Sequence, residues 1–208
     1  MSRLIDRTVV DLLAAFRSSD PAPGGGSASA LAGAVGASLL VMVGSLPKPR
    51  AATDADLTRL RDVAERCATV SDRLAALVDR DTEAYEAVVA AYRLPKTSDA
   101  EKTSRTAAIQ AALRGATETP LDVMRECRAG ITQAAVVAEL GNRNASSDVR
   151  VALELLLAGL RGAGHNVEIN LGSVKDAAYV ESARQEFTRI TADAEEGASA
   201  ARERLATE

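Results

Sequence analysis

Between Pro21 and Pro47 the chain carries no charged residue. A run that long and that apolar has to be hidden from water, either in a membrane or inside a protein. Gly33, Gly36, Gly44 and four serines dilute it, and no second run of the kind follows. Ser27 to Leu46 therefore reads as a central helix buried on all sides of a globular domain, not as a membrane span. Its small residues would let neighbouring helices, or a second copy of the chain, approach closely.

The surroundings of that helix are expected to be helical too. Alanine, the best helix former, fills about a fifth of the 208 residues. The aromatics that sheets favour are few: Phe16, Phe187, Tyr85, Tyr92 and Tyr179. The expectation is one all-α domain over residues 1–208, an up-and-down bundle. The 25 basic residues are interleaved with 29 acidic ones, so no cationic field exists for nucleic acid. Cys67 and Cys127 are too few for a disulfide framework. The N-terminus mixes Arg3, Asp6, Arg7 and Asp11, unlike a secretory leader, and a cytoplasmic setting is expected. A single histidine, His165, cannot supply a multi-histidine metal site, and the zinc-deaminase pattern is absent, so no metal is expected.

Along the chain, residues 4–16 read as one amphipathic helix with Leu4, Ile5, Val9, Leu12, Leu13 and Phe16 on one side. Ser18 to Gly26 reads as a loop. A long helix is expected from Asp54 to Ala91, with Leu57, Leu60, Ala64, Cys67, Leu74, Val78, Tyr85 and Val88 as its apolar stripe and Leu94-Pro95 as its end. Ser98-Asp99-Ala100-Glu101 is a capping box. The helix that it opens should kink or restart at Thr119-Pro120 and run to Leu140, where Gly141 stops it. Another helix covers Ser147 to Arg161, broken by Gly162-Ala163-Gly164. Asn166 to Leu171 alternates like a strand, with a short helix as the alternative. Ser173-Val174-Lys175-Asp176 reads as a second capping box, opening a last helix along Val180, Ala183, Phe187, Ile190, Ala194, Ala201 and Leu205.

One polar residue stands in an apolar place. Leu60, Cys67, Leu74, Asp81 and Val88 are seven apart and share a helix face, whereas Asp79, Glu83 and Glu86 fall off it and can reach water. A carboxylate on a buried face has its pKa raised, as a general acid or base near neutral pH requires. The other reading is an Asp paired with a buried Arg, or a stripe ending at a wet patch. Pro23-Gly24-Gly25-Gly26-Ser27 opens a helix, where free N–H groups favour anions. It is neither a P-loop nor a dinucleotide fingerprint, and a flexible turn with a Ser cap is the plainer reading. Asn142, Asp148, His165 and Asn166 sit among turn-forming residues and carry no motif of their own.

The order of these segments resembles the cyclodeaminase/cyclohydrolase family. The resemblance lies in Ala22-Pro23-Gly24-Gly25-Gly26-Ser27 followed by Met42-Val43-Gly44, and in Asp79-Arg80-Asp81-Thr82-Glu83-Ala84-Tyr85. It continues in Arg93-Leu94-Pro95-Lys96, Glu101-Lys102, Arg105-Thr106-Ala107-Ala108, Pro120-Leu121, Gly141-Asn142 with Ser147-Asp148, and Asn166-Val167 with Ile169-Asn170-Leu171. It implies an all-α homodimer that acts on a one-carbon tetrahydrofolate as substrate, with no permanently bound cofactor. The implied catalytic carboxylate is Asp81. The implied substrate contacts are Pro23, Gly24, Gly25, Gly26 and Ser27, with Asn142, Asp148 and Asn166. Where the family has a Thr-x-Gly-Lys type turn, this chain has Pro47-Lys48-Pro49-Arg50, so Lys48 and Arg50 are the cations offered to a glutamate tail. The implied reaction is hydrolysis of 5,10-methenyltetrahydrofolate to 10-formyltetrahydrofolate, with Asp81 as general acid and base. The alternatives are cyclodeamination of 5-formiminotetrahydrofolate, the same chemistry on another cyclic iminium or amidine, and a non-enzymatic dimerising scaffold.

Overall fold

A computed structural model describes residues 3–47 and 53–206, and all regular structure among them is helical. A 3₁₀ turn, Leu4–Asp6, precedes α1 (Val9–Phe16), α2 (Gly25–Ser45), α3 (Asp54–Tyr92) and α4 (Asp99–Leu140). A second 3₁₀ turn, Arg143–Ala145, leads into α5 (Ser146–Leu171), and α6 (Ala177–Ala206) completes the order. Only a few residues separate successive long helices in the sequence, as in a bundle whose neighbours pack side by side and antiparallel. α2 lies against α3 and α5, and α4 lies against α3, α5 and α6. One continuous apolar core runs through all of them, from Leu40 and Val43 of α2 to Ile190 and Ala194 of α6. Lys48 and Arg50 lie outside the described residues.

The α3 boundaries match the sequence reading, and so does the Ser98 capping box: Ser98 accepts from the Glu101 N–H while Glu101 accepts from the Ser98 N–H. Elsewhere the structure corrects it. The expected helix over 4–16 is two pieces, because Arg7 is extended and the Thr8 side chain caps α1 by accepting the Asp11 N–H. Leu4 and Leu12 are buried, but Val9 and Leu13 face outward. Asp176, just before Ala177, caps the last helix: its carboxylate accepts the Tyr179 N–H, and Ser173 is not the cap. α2 is not buried all round. Just over half of its apolar window is inside, and Val35 (45%) and Met42 (41%) stay exposed on one side.

The largest correction is α5, which runs unbroken through Gly162-Ala163-Gly164 and continues to Leu171. Each glycine costs a helix about 1 kcal/mol relative to alanine, and the packing explains why they stand there. A Cβ at Gly159 would press on the Ser29 carbonyl of α2, and one at Gly162 would overlap the Ser29 hydroxyl. The close α2–α5 contact holds the helix together across them. The apparent alternation of Asn166 to Leu171 is helical spacing: Val167 and Leu171 point into the core, while Asn166 and Asn170 form a second pair one turn apart. α4 does not restart at Pro120 but runs through it. Pro120 has no N–H for the Ala116 carbonyl, and the Asn170 side chain donates to that carbonyl instead, at 2.7 Å.

Candidate active site

Asp81 projects from the middle of α3 toward the first turn of α2. The α2 N-cap is Gly24, in extended backbone, so Ser27 is the third helical residue and its N–H lacks an intrahelical acceptor. That N–H donates to Asp81 Oδ2 at 2.9 Å. The anion drawn to this helix N-terminus is therefore the protein's own carboxylate. The Ser27 hydroxyl lies 3.1 Å from the same oxygen and 2.8 Å from the Val78 carbonyl. It has one proton for two acceptors. When Asp81 is ionised the hydroxyl can donate to Oδ2. When Asp81 is protonated it can donate to Val78 and accept from the acid. Among the described residues Asp81 Oδ1 has no donor, and the Gly25 and Gly26 N–H groups have no acceptor.

Burial pushes the Asp81 carboxyl above the usual carboxylate range, and the two contacts from Ser27 pull it back only in part. No cation among the described residues pairs with it, so the reading of Asp81 as a buried ion-pair partner does not apply. Gly24, Gly25 and Gly26 have ordinary negative-φ backbone; no glycine of the described chain has positive φ. Gly26 is needed for space, because a methyl group on it would overlap the Asp81 carboxylate.

A chamber of about 320 Å³ opens in front of Asp81. Gly24, Gly25 and Gly26 form one wall, Ala84, Tyr85 and Val88 of α3 another, and Asn166 and Asn170 of α5 the far side. Asn166 donates back to the Gly162 carbonyl and Asn170 to Ala116, which leaves both amide oxygens free to accept. Asn170 carries no sequence signal of its own beyond its spacing of four from Asn166, which on a helix puts the two amides on one face. Pro21, Ala22 and Tyr85 also line a neighbouring outer groove of about 760 Å³, together with Pro23.

The structure gathers Asp81, Gly24, Gly25, Gly26, Ser27 and Asn166, with Pro23 at the rim. It does not bring Asn142 or Asp148 to them within one chain. Asn142 ties the α2–α3 connection, donating to the Pro47 carbonyl and accepting from the Asn144 N–H. Asp148 is in the first turn of α5, about 27 Å along that helix from Asn166. His165 is exposed on α5 (78%), 3.6 Å from Glu168 and away from the chamber.

Asp79 corrects a second expectation. Its side chain is only 15% exposed, and it accepts from the Leu4 and Ile5 N–H groups with Arg3 at 3.7 Å. It holds the N-terminal segment on α3. Asp79→Asn keeps one acceptor and loses the other, so it should cost about 1 kcal/mol and lower Tm by about 2–4 °C. Turnover should change far less than on altering Asp81. Thermal melts and initial rates of the purified variant check both.

The all-helical bundle sets a half-buried carboxylate at a helix N-terminus, facing the chamber, an arrangement that suits acid–base chemistry. The profile of the formiminotransferase-cyclodeaminase family matches residues 8–189. The chain belongs to that family. It is 41% identical to the methenyltetrahydrofolate cyclohydrolase of Methylorubrum extorquens over 192 residues, 91% of each chain. It is 34% identical to the formimidoyltransferase-cyclodeaminase of Rattus norvegicus over 83% of this chain, but spans only 32% of that longer protein. Among solved structures it resembles the formiminotetrahydrofolate cyclodeaminase of Thermotoga maritima, with TM-score 0.86, 25% identity and 97% of each chain covered.

Proposed function

We propose that the chain is a methenyltetrahydrofolate cyclohydrolase, opening 5,10-methenyltetrahydrofolate to 10-formyltetrahydrofolate with Asp81 as its acid and base. The observation that carries this is the free Oδ1 of a carboxylate whose other oxygen is fixed by Ser27. The methenyl bridge is a cation, so an ionised Asp81 beside it stabilises the bound substrate. Asp81 takes a proton from water as the oxygen adds to the bridge carbon. It then returns that proton to N5 as the carbon–N5 bond breaks, and the hydroxyl proton leaves to form the N10 formyl group. The net change is one water consumed and one proton released. Ser27 can serve both protonation states of Asp81, and the Gly25 and Gly26 N–H groups are available to the oxygen of the tetrahedral intermediate. Asn166 and Asn170 offer acceptors to the ring N–H groups.

Cyclodeamination of 5-formiminotetrahydrofolate passes through a similar tetrahedral carbon and is the second reading. The relative of equal length supports the hydrolase. Loss of 5,10-methenyltetrahydrofolate absorbance above the uncatalysed rate is the expected result. Ammonia release from 5-formiminotetrahydrofolate without that loss would overturn the assignment in favour of the deaminase.

We also infer a homodimer through α2. Its outward residues Ala28, Leu31, Val35, Leu39 and Met42 are spaced symmetrically about Val35, as a two-fold contact of a helix with its antiparallel copy requires. Light scattering should give twice the chain mass at micromolar concentration, and Val35→Asp should give one. A monomeric wild type would remove the inference.

A further inference from the structure

The two asparagines of the chamber are held with a fixed polarity. A side-chain amide fits either way round by shape, and its hydrogen-bond partners decide which end goes where. Asn166 lies 3.0 Å from the Gly162 carbonyl and Asn170 2.7 Å from the Ala116 carbonyl. A carbonyl only accepts, so each amide nitrogen is turned to the backbone and each oxygen is left for the chamber. The Ala116 carbonyl is open to Asn170 because Pro120, inside α4, has no N–H to give it. Asn166 lies against Gly25, near the Asp81 end, and Asn170 stands about 6 Å further along α5.

Resting on the folate reading of the chamber, we propose that this pair reads the donor edge of a reduced pterin, and that Pro120 is the positioning residue that aims Asn170. In a reduced pterin N8–H and the 2-amino group share one edge, on either side of N1, and N5 lies across the ring from N8. With N5 and its one-carbon bridge at Asp81, that edge meets the asparagines on the far side. N8–H donates to Asn166, and the 2-amino group, one ring further on, donates to Asn170. Full oxidation of the ring turns N8 into an acceptor, which the Asn166 oxygen repels. The chamber thus selects the oxidation state of the ring as well as its one-carbon group.

The test measures, by calorimetry, the affinity for three compounds: 10-formyl-7,8-dihydrofolate, its 2-desamino-2-methyl analogue, and 10-formylfolate, whose N8 carries no hydrogen. The wild type should bind the first roughly tenfold or more tighter than either of the others, as a polar group left unmatched implies. Asn166→Leu should bring 10-formylfolate within about threefold of the dihydro compound and keep the penalty on the methyl analogue. Asn170→Leu should do the reverse. Pro120→Ala should also lose most of the preference for the 2-amino group, while Tm holds or rises because α4 regains a backbone bond. A proline that only shaped α4 would leave that preference at its wild-type value. Asn170→Leu leaves the Ala116 carbonyl unmatched, so the double variant Pro120→Ala with Asn170→Leu, where α4 satisfies that carbonyl itself, repeats the measurement on a sound fold. Equal affinities in the wild type, or preferences unmoved in the variants, would overturn the inference and leave the folate reading intact. A wild type that neither binds 10-formyltetrahydrofolate nor turns over 5,10-methenyltetrahydrofolate would overturn both.

Discussion

Asp81→Asn is expected to lower turnover of 5,10-methenyltetrahydrofolate by roughly 10²–10⁴-fold, the usual weight of a general acid–base group. Asn keeps an oxygen to accept from Ser27, so the α2–α3 contact survives. Substrate binding should weaken only by the lost attraction to the methenyl cation. Stability should hold or rise. The Asp81 carboxyl is raised in the folded chain, so protonation favours folding. Its contribution is present below the ordinary carboxylate range and is lost as pH rises through the raised folded value. Asn never ionises and escapes that loss, so the Tm difference in its favour should grow with pH through that window. The wild-type rate should fall on acidification with a midpoint above the ordinary carboxylate range, because the base must be ionised, and that limb should vanish in the variant's residual rate. Full turnover in Asp81→Asn would remove the mechanism. Lost turnover with a much lower Tm would make Asp81 a structural residue instead.

Gly26→Ala is expected to be nearly as damaging, by a different route. The added methyl group occupies the position of the Asp81 carboxylate, and Asp81 is too short to yield while keeping both contacts to Ser27. The carboxylate has to rotate away from the chamber. Turnover should fall by roughly 10²-fold or more, the lower bound for losing the acid–base group. The overpacking cost of about 1–3 kcal/mol is partly offset by the better helix propensity of alanine, so Tm should move by only a few degrees. The two variants separate in binding. Asp81→Asn leaves the chamber open, whereas Gly26→Ala narrows it and should weaken affinity for 10-formyltetrahydrofolate in calorimetry. Unchanged turnover in Gly26→Ala would mean that Asp81 does not work from the position described.

Asp81 was legible because helical phase is a local property: a carboxylate on an apolar stripe announces itself within four turns. The all-helical class and the Ser98 cap were legible for the same reason. What failed depends on partners far along the chain. Gly162-Ala163-Gly164 looks like a break until Ser29 of α2 is placed against it. Asp79 looks solvated until Leu4 and Ile5 return to it, 75 and 74 residues away in sequence. In the sequence Arg7 is only one of the mixed charges of the N-terminus and Tyr85 a stripe residue, and only the packing of the N-terminal segment on α3 turns them into the walls of a groove. The alternation of Asn166 to Leu171 misled because i, i+4 pairs on a helix also satisfy a period of two over so short a window.

The bond from Asn170 to the Ala116 carbonyl exists because Pro120 cannot use that oxygen. Restore an N–H at 120 and α4 closes its own ladder, leaving the Asn170 amide to turn elsewhere in the chamber. Remove Asn170 and a carbonyl half-hidden between two helices goes unmatched. Neither change is harmless without the other, so an evolving lineage should hold or exchange the two positions as a pair. A proline within one helix and an amide on its neighbour would then leave a correlated trace in divergent sequences, and that trace alone would set α4 beside α5.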